Sequence, residues 1–170
     1  MTARARDTEL MRLALGEARV AYGRGQLPIG AVLLIDDQIV SMGSNLQVTA
    51  GDWASHAESL LIRTAGKAIK EARKADKEVH LVSTLEPCLM CFGTAAHNRI
   101  TRITYSCPDP AAGATRIQPP TPWYAKHWPT IHGEVLREES YDLFVKFMKK
   151  TPESWKNVLP LYEAMHATWK

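Results

Sequence analysis

Apolar positions recur along this chain with two periods, and the alternation between them sketches a fold. Leu10, Leu13, Ala14, Ala18 and Ala21 share one face at helical spacing, with Asp7 or Thr8 placed to cap the start and Gly23 near the end. Pro28 and Gly30 break that pattern before the continuous apolar run Ala31–Ile35, which reads as a strand. Asp36-Asp37-Gln38 is a short turn, and Ile39–Gly43 is the strand that pairs back after it. A polar loop over residues 44–55 contains Asn45, Gly51 and Asp52, and loops on a rigid scaffold are common places for ligand contacts. Ser55 is a suitable N-cap for a helix that opens at His56 and carries Leu60, Leu61 and Ile62, which Gly66 weakens or ends.

The second half repeats the alternation. Lys67–Lys77 mixes charges of both signs and reads as a solvated helical face, not a nucleic-acid patch. Val79–Thr84 is a strand, Pro87 is placed as the first residue of a helix over 87–98, and Arg102–Ser106 is a further strand. Residues 107–130, rich in Pro, Gly and Trp, read as irregular. Glu138-Glu139 followed by Tyr141, Leu143, Phe144, Phe147 and then Lys149-Lys150 is a helix whose charges suit its dipole, and Pro152 ends it. Ser154–Trp169 predicts a last helix, with Trp155, Leu159, Leu161, Tyr162 and Met165 as its apolar residues. Strands alternating with helices predict an α/β fold, a sandwich around a mixed sheet. No repeat or linker divides the chain, so residues 1–150 are expected to form one domain and 151–170 a helical tail of it.

Composition narrows the class. A hydrophobic fraction of 45% and a charged fraction of 23% are ordinary for a globular protein, and 170 residues suffice to bury a core. No apolar run approaches the roughly 18 residues of a membrane span. The N-terminus lacks a signal-peptide core, so a cytoplasmic location is expected. In the segment 146–170, five lysines face two glutamates and account for the whole net charge of +3. The rest of the chain is balanced, unlike a protein held mainly by phosphate contacts.

The chemistry concentrates in two short stretches, His56-Ala57-Glu58 and Pro87-Cys88-Leu89-Met90-Cys91. One imidazole and two thiolates suit Zn2+, and three protein ligands leave the fourth tetrahedral position for water. On a helix, Cys88 and Cys91 lie one turn apart, so both sulfurs can face one point, and a helix N-terminus favours their thiolate forms. Glu58, two residues from the histidine, can serve the water without binding the metal. His-x-Glu followed by Pro-Cys-x-x-Cys is the signature of zinc deaminases. Three cysteines make no disulfide framework; a redox Cys-x-x-Cys would leave His56 and Glu58 without a role. A closed structural zinc site would need Cys107, His80 or His97 as a fourth ligand, none at a standard spacing. A non-catalytic zinc module for protein or RNA binding is the alternative of another class.

The chain resembles the cytidine/deoxycytidylate deaminase superfamily, in the branch of tRNA adenosine deaminases and guanine deaminases. The resemblance runs from about Leu10 to Lys150. It rests on Leu27-Pro28-Ile29-Gly30-Ala31-Val32, Gly43-Ser44-Asn45, His56-Ala57-Glu58, Leu85-Glu86-Pro87-Cys88-Leu89-Met90-Cys91, His97-Asn98-Arg99-Ile100, and Asp109 with Gly113-Ala114. It implies a three-layer α/β/α sandwich around a five-stranded mixed sheet and a homodimer or larger assembly whose interface helps form the sites. It also implies His56, Cys88 and Cys91 as zinc ligands, Glu58 as the catalytic proton shuttle, and substrate contacts at Asn45 and at the backbone near Ile29 and Ala57. By itself, Asn45 reads equally well as a turn residue.

Two differences bear on the substrate. The tRNA enzymes usually have Asp-Pro-Thr-Ala before the His-Ala-Glu; here the residues are Asp52-Trp53-Ala54-Ser55. Beyond Gly113-Ala114 come Thr115–Pro120, Trp123-Tyr124 and His127-Trp128, and the tail adds Trp155. Guanine deaminases similarly close their pocket with a C-terminal aromatic segment, although tryptophans also serve as plain core. The balanced body and aromatic tail favour a small nucleobase or nucleoside; the cysteine motif and His97-Asn98-Arg99 favour tRNA.

Overall fold

The apolar run after Pro28 becomes an inner strand of a five-stranded sheet, in a computed structural model that describes residues 3–169. The strands are β1 (Gly30–Ile35), β2 (Gln38–Ser44), β3 (Val79–Leu85), β4 (Arg102–Cys107) and β5 (Thr130–His132), in the spatial order β2-β1-β3-β4-β5. β1 runs antiparallel to both β2 and β3, whereas β3, β4 and β5 are parallel, so the sheet is mixed as expected. Asp36 and Asp37 both adopt positive φ, 45° and 65°, the backbone that a tight two-residue hairpin requires.

Alternation along β1 assigns the layers. Ala31 and Leu33 join a core with Leu61, Ile62, Phe92 and Ala95, from α3 (Ala57–Thr64) and α5 (Leu89–His97). Val32 and Leu34 join Leu10, Met11, Ala14 and Leu15 of α1 (Ala3–Gly23). Gly30 lies where α1 crosses the sheet closely: a Cβ there would collide with the Ala14 carbonyl oxygen, so any side chain would push the helix away. α7 (Arg137–Met148) packs on β4 and α1, which completes the sandwich.

Several boundaries differ from the sequence reading, each for a local reason. α1 starts at Ala3, so neither Asp7 nor Thr8 caps it; Asp7 is buried and paired with Arg102, and Thr8 bonds back to the Arg4 carbonyl. Ser55 does not cap α3, because its hydroxyl is given to Asp52 and His56 is the N-cap. α5 begins at Leu89, not Pro87; Cys88 is its N-cap and forms a bridge to Gly113. α3 and α4 (Gly66–Lys74) meet at Ala65-Gly66, and Lys67, Lys70 and Lys74 of α4 are exposed.

The stretch 107–130 contains a short helix, α6 (Pro122–Lys126), and leads into β5, which its composition had hidden. The tail is split in two, α8 (Pro152–Trp155) and α9 (Leu159–Ala167), with Pro160 in the first turn of α9. Tyr162 of α9 is 1% exposed and belongs to the same core as Leu33 and Phe92. No helix among the described residues is long and apolar enough to cross a membrane.

Candidate active site

Two helices begin at one point. His56 precedes α3 and Cys88 precedes α5, both with extended backbone, and neither side chain caps its own helix. Instead the side chains turn toward each other. His56 Nδ1 lies 3.6 Å from Cys88 Sγ and 3.4 Å from Cys91 Sγ, with Cys91 in the first turn of α5. Ligand atoms about 2.3 Å (sulfur) and 2.0–2.1 Å (nitrogen) from a shared tetrahedral centre stand about 3.6 Å apart, so the spacing fits one Zn2+. The trio's ligand atoms all lie within 4.8 Å, and it is the one such group found among the described residues.

The residues that could have closed the site are elsewhere. His80 is buried against Thr104. The Cys107 thiol is turned to the Pro108 carbonyl, and His97 sits at the other end of α5 beside Trp123 and Tyr124. Among the described residues these three side chains therefore supply no fourth ligand to the trio.

Electrostatics agree with the donor set. The Cys91 thiol, donating to Cys88, and the neighbouring His56 hold the Cys88 thiol down at about 4, whereas Cys91 is pushed up by Cys88 and by burial. One thiolate thus precedes the metal, and the second forms as the metal binds and a proton leaves. The first-turn amides of both helices supply positive dipole ends at the same place.

Glu58, in the first turn of α3, is 3% exposed. Burial raises its carboxyl above the ordinary range, the direction that suits a group handing protons back and forth near neutrality. Ser83 Oγ donates to its Oε1 at 3.1 Å; Oε2 is buried and has no partner.

His56, Glu58 and Cys88 open into a cavity of about 260 Å³. Leu27, Ile29, Gln47 and Trp53 form one side. Glu86, Asp109 and Ala111 also line it, and Phe144, Trp155, Val158 and Tyr162 bring α7 and the C-terminal segment to the same cavity. Ile29 is among the residues lining the cavity. Ala57 is fully buried in the core beneath it. Asn45 is fully buried: its Oδ1 accepts the Gln47 amide at 3.0 Å and its Nδ2 reaches Gln47 Oε1 at 3.2 Å. Its visible role is the turn that starts the short helix α2 (Gln47–Ala50) and brings Gln47 to the cavity. Trp53 is 90% exposed at the rim.

Sequence reading missed part of the framework. Glu86 accepts the amides of Asp109 and Thr115 at 3.0 and 3.1 Å, tying the loop 107–115 beside the cavity. A Cβ on Gly113 would collide with that carboxylate. Tyr162 lies beside Asp109 in the cavity lining, so the tail meets the same loop. The signal available for Glu86 and Ser83 was a polar residue in an otherwise buried strand or at its end; nothing local marked Val158 or Tyr162.

Comparison with known proteins decides the family. Residues 4–107 match the cytidine and deoxycytidylate deaminase zinc-binding region. The chain belongs to this family. A tRNA-specific adenosine deaminase of Agrobacterium fabrum is 33% identical over 151 residues, 86% of this chain and 96% of that protein. One from Bacillus subtilis is 36% identical over 109 residues, 64% of this chain and 66% of its own. A solved structure from work on A-to-I editing by tRNA:A34 deaminases superposes with a TM-score of 0.69 at 33% identity, covering 80% of this chain and 99% of that one. A guanine deaminase from Nitrosomonas europaea, at 19% identity and a TM-score of 0.58, covers 86% of this chain and 84% of its own and shares the fold. This deaminase family binds zinc, and the trio His56, Cys88 and Cys91 is the group in this chain that fits it.

Proposed function

We propose that this deaminase hydrolyses the exocyclic amine of a small purine, a free base such as guanine or its nucleoside, and releases ammonia. The observation that carries the reading is the far wall of the cavity. Trp155, Val158 and Tyr162 of the C-terminal segment cover it, leaving about 260 Å³. Pockets for drug-sized ligands span about 300–1,000 Å³, so this volume suits a single base. The balanced charge of residues 1–145 agrees with a substrate not held by phosphates.

His56, Cys88 and Cys91 would hold the zinc ion, which supplies Lewis-acid activation of water when bound. Glu58 takes one proton from the attacking water and carries it to a ring nitrogen, then takes the second from the newly attached hydroxyl and gives it to the departing amine, so that ammonia leaves as the carbonyl forms. Ile29 and Gln47 flank the ring, and the Asn45 side chain acts through Gln47. Trp155 and Val158 exclude bulk water, which strengthens every charged contact inside.

A second reading, tRNA adenosine deamination, is favoured by the 33% identity over nearly the full length of the Agrobacterium fabrum relative. Exposed Leu89 and Met90 beside the thiolates, with Trp53 at the cavity rim and Val48 in the hollow next to it, offer apolar surface for a second copy, which supports a homodimer. A cytoplasmic location accompanies either reading. Ammonia release by the zinc-loaded protein on free bases, nucleosides and a tRNA anticodon arm tests the proposal. Turnover of a free purine or its nucleoside is expected. Turnover of the arm alone would establish the second reading, and a protein that binds zinc but deaminates nothing would be a binding module.

A further inference from the structure

Every position of β3 from Val79 to Leu85 is buried, and a strand covered on both faces normally reads as an unbroken apolar run. His80, Ser83 and Thr84 interrupt it, and buried polar groups persist only with partners. His80 Nε2 meets Thr104 Oγ1 at 2.9 Å, and Thr84 Oγ1 accepts the Gly30 amide at 3.0 Å, so both have structural partners. Ser83 differs. It is fully buried, and its hydroxyl lies 3.1 Å from Oε1 of Glu58. The Leu85 amide approaches Ser83 Oγ at 3.4 Å and occupies its acceptor side, which leaves the hydroxyl proton for the carboxylate.

The two oxygens of Glu58 are therefore unlike. Oε1 is held, whereas Oε2 is buried with no partner in a side chain that lines the cavity. A shuttle must present one oxygen in a fixed place through two proton transfers, and a carboxyl that rotates would offer either oxygen in many directions. We propose that Ser83 is a positioning residue that pins Oε1 and so reserves Oε2 for the proton transfers. The inference rests on the deaminase reading of this site but not on which amine is removed. It also explains the serine: alanine or valine would fill the strand as well but would leave the carboxylate unanchored.

Three measurements on the zinc-loaded full chain test this, with Ser83→Ala and Ser83→Thr compared with the wild type. On the best substrate of the ammonia panel, Ser83→Ala should lower kcat about tenfold to a hundredfold, the worth of one hydrogen bond to a charged acceptor. KM and zinc content should stay at wild-type values with only a modest fall in Tm, and Ser83→Thr, which keeps the hydroxyl, should recover most of the loss in kcat. A crystal structure of zinc-loaded Ser83→Ala should show the Glu58 carboxyl turned from its wild-type orientation. Wild-type kcat in Ser83→Ala, a loss matched by lost zinc, or a threonine variant no better than alanine would each overturn the positioning role. If the wild type deaminates nothing, the deaminase reading falls separately. The crystal structure then decides, and an unmoved Glu58 would overturn the inference.

Discussion

The floor of the cavity and its far wall are built in opposite ways. The floor gathers His56, Glu58, Cys88 and Cys91 from the starts of two helices, each carried by a motif only a few residues long. The wall brings Phe144, Trp155, Val158 and Tyr162 from α7 and the tail back across some hundred residues of chain, held by a ring cluster in which Phe144 packs on Trp155 and Tyr162. Its tie to the floor is indirect, through Tyr162 and Asp109 and then Glu86. On the proposed reading the two parts have different roles: the floor carries the deamination, and the wall decides which amine reaches it. Local motifs can be kept while long-range packing changes, so chemistry and substrate choice need not travel together.

If that division holds, damage to the floor should abolish turnover of every substrate. Cys88→Ser should lose zinc, nearly all activity and part of the thermal stability, because metal binding and folding are linked. Metal analysis with a melting curve checks this; a stable, active, zinc-free Cys88→Ser would break the account of the floor. A finer cut is Glu58→Gln, which should keep zinc and fold while kcat falls by about 10² to 10⁴, since the amide cannot shuttle protons. Retained turnover would show that another group moves the proton.

A third prediction concerns neither region and serves as a control on the sheet. Burial, reinforced by Arg102 and His132, depresses His80 to about 3, so the folded protein keeps it neutral. The unfolded chain takes up that proton below about 6.5. The stability contribution is therefore fully present above about pH 6.5 and is lost as pH falls toward 3, at most about 1.4 kcal/mol per pH unit. Chemical denaturation between pH 7 and 4 should show this acid slope, and His80→Gln should flatten it. An unchanged slope would mean that His80 ionises in the folded state.

The same contrast explains what the sequence made legible. The metal trio and Glu58 could be read because ligand chemistry, helix spacing and dipole sense all act within a few residues of each motif. Strand β1 could be read because burial on both faces leaves an apolar run, and β2, exposed along much of its length, because the Asp36-Asp37 turn precedes it. β5 could not, since Thr130-Ile131-His132 is short and polar at both ends, and its pairing with β4 is what makes it a strand. Asp7 looked like a cap because carboxylates favour helix starts, yet the buried pairing with Arg102 on β4 holds it inside α1. The tail read as one helix by periodicity; its division and its contact with the cavity depend on partners far away in sequence. Ser83 was passed over because one hydroxyl in an apolar strand has no local pattern.

The central claim is that the C-terminal wall fits the site to a small purine. It is tested most directly by kcat/KM of the Trp155→Ala, Val158→Ala double variant, measured on a free purine or its nucleoside and on a tRNA anticodon arm, with zinc content as the check on fold. Loss of an aromatic contact to a base costs about 1–3 kcal/mol, so the small-substrate value should fall about tenfold to a hundredfold with zinc retained, and no activity should be seen on the arm. Small-substrate turnover at the wild-type level, or activity confined to the arm and rising as the wall is cut back, would contradict it.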